Sequence, residues 1–164
     1  MLSNALQKAL NEQIKNELYS SYLYLAMSAH FEAAAFPGFA KWTRMQSNEE
    51  LEHGMKFYDF INDRDGRVEL LAIDAPPKEF GTPLEVFKMV LEHEKKVTGT
   101  IHSLYALALK ENDYPTQVML HWFIDEQVEE EKNATAIVDQ LQMVEDRMGT
   151  LLNIDHHVGK REAE

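Results

Sequence analysis

A chain of 164 residues with 45% hydrophobic content is long enough to bury one sizeable core, so disorder is not its default. It contains no cysteine, which excludes disulfides and thiolate metal sites and makes a reducing cytoplasm its simplest home. The net charge of -12 disfavours nucleic acid and suits a protein that gathers cations, and no apolar run reaches the roughly 20 residues of a membrane span.

Glycine and proline are sparse and helix formers abundant, so the expected fold is all-α. The opening Met1-Leu2-Ser3-Asn4 lacks the basic flank and apolar run of a signal peptide. A first helix is predicted from about Ser3 to Ala33. Its heptad line reads Ser3, Leu10, Glu17, Tyr24, Phe31, flanked by Leu6, Ile14, Leu18 and Met27. Pro37-Gly38 supplies a break. A second helix runs from about Phe39 to Arg64, with Gln46, Glu50, His53, Phe57 and Phe60 on one face. The short link makes these two antiparallel neighbours.

Residues 65–81 show no helical period and contain Pro76-Pro77. Helix two spans about 40 Å, and this segment reaches roughly 55 Å when extended. It can therefore cross the whole bundle and start helix three parallel to helix two. Thr82-Pro83-Leu84-Glu85 is a capping box with proline at the first helical position. The core line that follows is Phe87, Val90, Glu94, Val97, Ile101, Leu104, Ala108, with Lys95 and Lys96 directed elsewhere. Helix four begins near Pro115 and reads Leu120, Phe123, Gln127, Glu130, Ala134, Ile137, Leu141, Val144. A break at about 146–149 precedes a short fifth helix carrying Leu151, Leu152, Ile154 and Val158. The whole, residues 1–164, reads as one domain: a four-helix bundle over about 3–145, a fifth helix over about 146–158, and a short tail. The fifth helix is too small to form a core alone and is expected to dock on the bundle or on a symmetry mate.

One acidic residue interrupts each of the four apolar stripes: Glu17, Glu50, Glu94 and Glu130. An ionised carboxylate buried without a partner costs several kcal/mol or more. No Lys or Arg occupies a neighbouring position on these stripes, so the counter-charge is expected from outside the chain, as a bound metal pair. Glu50 and His53, at i and i+3, place an oxygen and an imidazole nitrogen on one helical face. Taken alone, His53 reads as a satisfied core histidine; the agreement across four helices makes it a ligand. Two ferrous ions would balance the four carboxylates, with neutral His53 and Gln127 completing the surround. Mixed oxygen and nitrogen donors suit iron better than copper(I) or structural zinc.

With Glu17, the stretch Glu50 to His53, Glu94 within His93 to Lys96, and Asp125 to Glu131 in view, the chain resembles a prokaryotic non-haem ferritin over essentially its whole length. The resemblance implies a ferritin-like four-helix bundle with one long crossover and a short fifth C-terminal helix. It implies that Glu17, Glu50 and His53 hold one iron, that Glu50 bridges to a second, and that Glu94 and Glu130 hold the second beside Gln127. It also implies a third iron site built from Glu49, Glu126 and Glu129 with Glu130; read from the residues alone, those three form a solvated acidic face. The activity implied is ferroxidation of Fe(II) by dioxygen or hydrogen peroxide, followed by mineral storage inside a homo-oligomeric shell of twenty-four subunits. No haem is expected, because Leu51 stands where a haem-ligating methionine would follow the bridging glutamate.

Gln127 and Glu130 replace the second E-x-x-H of di-iron oxygenases, so the second iron has only oxygen donors. A loosely held ion suits transit and storage, whereas a permanent cofactor needs a firmer site. Tyr24, one heptad from Glu17, reads equally as a core tyrosine or as a hydrogen-bonding and electron-supplying group, and the resemblance favours the second. Trp122 reads as an electron donor or a packing residue, and His156-His157 as surface. Gln117 and Leu120 stand where animal ferritins line a three-fold channel with acids. A small-oligomer di-iron oxidase and an acidic scaffold that only nucleates mineral are the competing readings; the missing second E-x-x-H opposes the first, and the intact ligand set the second.

Overall fold

The computed structural model describes residues 1–144 and 147–162, and within them every regular element is a helix. In chain order these are α1 (Asn4–Ala33), α2 (Pro37–Asp63), α3 (Pro83–Lys110), α4 (Tyr114–Val144) and α5 (Met148–Val158). Ser3 stays extended outside α1 and its hydroxyl accepts the Leu6 amide at 3.1 Å, satisfying a donor that the first turn would leave orphaned. The Thr82 hydroxyl accepts the Glu85 amide while the Glu85 carboxylate accepts the Thr82 amide at 2.7 Å, closing the expected capping box on α3. Gly81 enters that box at φ +85, and a Cβ there would lie 2.3 Å from the Glu85 carboxylate.

Helices α1 and α2 form one antiparallel hairpin, with Ser28 bonded to Ala40 and Ser21 to Ser47. Helices α3 and α4 form another, in which Tyr105 meets His121 and Thr98 meets Gln127. Residues 64–82 contain no helix. They run beside α1, pinned by the Asn11 amide donating to the Arg67 carbonyl at 3.0 Å and its Oδ1 accepting the Glu69 amide at 2.8 Å. The crossover therefore carries the chain back to the starting end of α2, and α3 runs parallel to α2, as the segment's length allows.

Two boundaries and one core position differ from the sequence reading. Pro37-Gly38 is not a break: α2 begins at Pro37, whose missing N–H costs nothing in a first turn. Gly149 lies within α5, and the break predicted at about 146–149 falls partly on Asp146, outside the described residues. Val144, expected on the core line, is only half-buried as the last residue of α4.

Helix α5 folds back on the opening turn of α2. Both oxygens of Asp155 accept amides there, from Gly38 at 3.1 Å and Phe39 at 2.8 Å, so a carboxylate faces the positive end of the helix dipole. Contact is close enough that a Cβ on Gly38 would sit 1.8 Å from the Asp155 carbonyl oxygen.

The apolar interior divides in two. One cluster, around Phe31, Phe39, Trp42, Phe87 and Leu141, fills the end of the bundle against which α5 packs. The other, around Leu10, Phe57, Ile61, Ile101 and Phe123, fills the opposite end. Between them lies a buried polar belt.

Candidate metal centre

Glu17, Glu50, His53, Glu94, Gln127 and Glu130 make up that belt, and none is more than 5% exposed. Each stands mid-helix at a position where the stripe of its helix would otherwise place an apolar side chain, so packing the four stripes together forces the acids to meet. Ligand atoms of Glu17, Glu50 and His53 all lie within 4.8 Å of one another. The Glu17 Oε1 accepts the Gln13 amide at 2.7 Å. Glu17 Oε2 and both oxygens of Glu50 find no N–H or hydroxyl donor among the described residues. Buried carboxylate oxygens without donors are costly, and their convergence beside an imidazole fits a cation as the missing partner.

Glu94 and Glu130 are held differently. Glu94 accepts the hydroxyl of Tyr24 and the Gln127 amide, the latter at 3.1 Å. Glu130 accepts the Gln46 amide at 2.9 Å. Both carboxylates face Glu50 closely enough to raise its affinity for a proton.

Burial dominates the electrostatics. It pushes Glu94 up to about 7, against the favourable bonds from Tyr24 and Gln127. Glu130 rises to about 8 through burial and the nearby Glu94 charge. Glu17 is raised by burial, and Glu50 more so, by burial and then by Glu94 and Glu17. His53 is pushed the other way, down to about 4, by burial and by the Lys56 ammonium. Its imidazole is neutral near pH 7 and keeps a lone pair for a metal. The metal-free belt thus holds protons that a divalent ion would displace.

Around the belt, Trp122 stacks edge-on against His53 with ring centroids 5.3 Å apart, and Lys56 Nζ lies 3.6 Å from its ring centroid. Glu126 Oε1 stands 3.9 Å from His53 Nε2. Glu129 is exposed and lines a cavity of about 500 Å³ together with Trp42, His157 and Arg161. Glu49 is half-buried and bound by Arg161. The three acids therefore border the belt, whose closest ligand cluster among the described residues is Glu17, Glu50 and His53. His156 and His157 are exposed, as expected.

At the two positions where animal ferritins carry channel acids, Leu120 is fully buried against the cluster around Phe57, and Gln117 donates to the Ala108 carbonyl. One expectation needs correction: the counter-charge was expected wholly from outside the chain, yet the Arg161 cation reaches the belt's edge through Gln46. Nothing in the local pattern could have placed it there, because the fold-back of α5 sets its position.

A ferritin-like domain pattern matches residues 7–144. The chain belongs to the ferritin family. Bacterial non-heme ferritin from Bacteroides fragilis is 44% identical over 161 residues, covering 98% of this chain and 100% of that one. The Staphylococcus aureus protein of the same name is 37% identical over 161 residues, covering 98% and 97%. Among solved ferritins, the open-pore ferritin of the hyperthermophilic archaeon Archaeoglobus fulgidus superposes with a TM-score of 0.98 at 42% identity, covering 99% of this chain and 100% of that one. In this ferritin the bundle, the crossover and the short fifth helix all follow that likeness.

Proposed function

We propose that this ferritin stores iron by oxidising Fe(II) at the polar belt and depositing ferric mineral within a homo-oligomeric shell of twenty-four copies in the cytoplasm, each copy one ferritin-like domain. The observation that carries the reading is the set of unpartnered oxygens on Glu17 and Glu50 beside His53. Glu17, Glu50 and His53 would hold one Fe(II), and Glu50, Glu94 and Glu130 a second, with Gln127 adjacent. Glu49, Glu126 and Glu129 would receive an ion on its way out.

Two ferrous ions each give up one electron. Dioxygen takes both, with two protons, to become hydrogen peroxide; a peroxide takes both, with two protons, to become two waters. Carboxyls that hold protons before loading release them as the ions bind, so a source of protons lies at the reacting centre. Tyr24 fixes Glu94 in the orientation its hydroxyl dictates. The apolar clusters on either side keep bulk water away, which strengthens each charge interaction inside.

Glu17→Ala and His53→Ala are expected to slow the initial aerobic oxidation of Fe(II) by at least about tenfold, since each removes a charged or coordinating partner made only inside the site. Stopped-flow absorbance gives the rate, and light scattering shows whether the assembly is intact. Wild-type rates in both intact variants would overturn the assignment.

A further inference from the structure

Arg161 lies along one face of α2, over Trp42, Gln46 and Glu49. Its guanidinium stands 5.3 Å from the Trp42 ring, and one nitrogen bonds both oxygens of Glu49 at 2.9 and 2.8 Å. Another nitrogen donates to the Gln46 Oε1, and the amide of that same Gln46 donates to Glu130. An unbroken chain thus joins the C-terminal tail to a residue of the belt. Only 18% of the Arg161 side chain is exposed, against 21% for Glu49, so the pair is partly desolvated and stronger than a surface pair. The tail is not loosely placed either. Asp155 anchors α5 on the α2 amides, and Lys41 donates to the Gly159 carbonyl at 3.0 Å.

We propose that Arg161 is the resident counter-ion of the third iron position, a tethered cation that an incoming metal must displace from Glu49. The proposal rests on the reading of Glu49 as a ligand for an ion in transit. A guanidinium and a metal ion cannot both take the Glu49 oxygens, so their occupancies are mutually exclusive and each weakens the other. Displacement leaves Arg161 protonated in a cavity that Glu129 also lines, so the charge moves into a polar space with an acid on its wall. Release of Arg161 also frees Gln46 Oε1, which couples occupancy at Glu49 to the amide that holds Glu130.

Anaerobic calorimetric titration of the assembled protein with Zn(II), a redox-inert probe, tests this. Arg161→Ala is expected to bind one metal equivalent per chain about tenfold more tightly than wild type, beyond the two equivalents that both proteins share. Arg161→Lys, which keeps the charge but loses the planar fork, should fall between them. Adding Glu49→Gln to Arg161→Ala should abolish the gain. Equal third-equivalent affinity in wild type and Arg161→Ala overturns the proposal, as does a gain that survives Glu49→Gln. Absence of a third equivalent from every protein is a different pattern; it overturns the reading of Glu49 as a ligand for an ion in transit, and the proposal with it.

Discussion

Glu94 sits between two opposing influences. Burial pushes its carboxyl towards the neutral acid, while the Tyr24 hydroxyl and the Gln127 amide favour the carboxylate that a metal needs. A hydrogen bond to a charged group contributes roughly 1.5–3 kcal/mol. Tyr24→Phe is therefore expected to make Glu94 hold its proton more firmly and to weaken Co(II) binding near neutral pH by about tenfold, read from the cobalt absorption bands. The gap should narrow at alkaline pH, where Glu94 ionises in either protein. An affinity that does not change would show that Tyr24 contributes packing alone. Read from its spacing alone, Tyr24 left both roles open; its bond across to Glu94 on α3 is a contact that no spacing along α1 can reveal.

At the level of whole helices, the stripes of α1 to α4 were legible because packing writes a period into the sequence, and the capping box on α3 was legible because its partners are three residues apart. The acids on those stripes were legible for the same reason, as interruptions. The joint between α5 and α2 was not, since Asp155 and Gly38 are far apart in the chain and neither breaks a pattern. Nor was the route of the crossover along α1, which depends on Gln7 and Asn11 meeting backbone groups of residues 67–69. The α5 joint has a testable strength. Gly38→Ala drives a methyl group into the Asp155 backbone and is expected to detach α5 while α1 to α4 stay folded. Amide hydrogen exchange should quicken across 148–158 and leave the four long helices protected. Protection of α5 equal to wild type would show that the contact yields without loss.

Over the molecule as a whole, the belt's carboxyls make stability fall as pH rises. Glu94 and Glu130 hold their protons more tightly in the folded chain, at about 7 and about 8, than at their ordinary value of 4.5 in an unfolded one. The contribution is thus fully present below about 4.5 and is lost as pH rises through about 7 and about 8. His53 and His93, both pushed down to about 4 from 6.5, oppose this at lower pH, so the melting temperature of the metal-free protein is expected to fall between about pH 6.5 and about pH 9, and a saturating divalent metal should flatten that fall. A metal-free melting temperature that rises across this interval would contradict the raised carboxyls. The division of the interior has a consequence for traffic. Tightly packed apolar side chains close the bundle above and below the acids, so under the proposed function an ion would have to come and go sideways, between neighbouring rods, and never along their length.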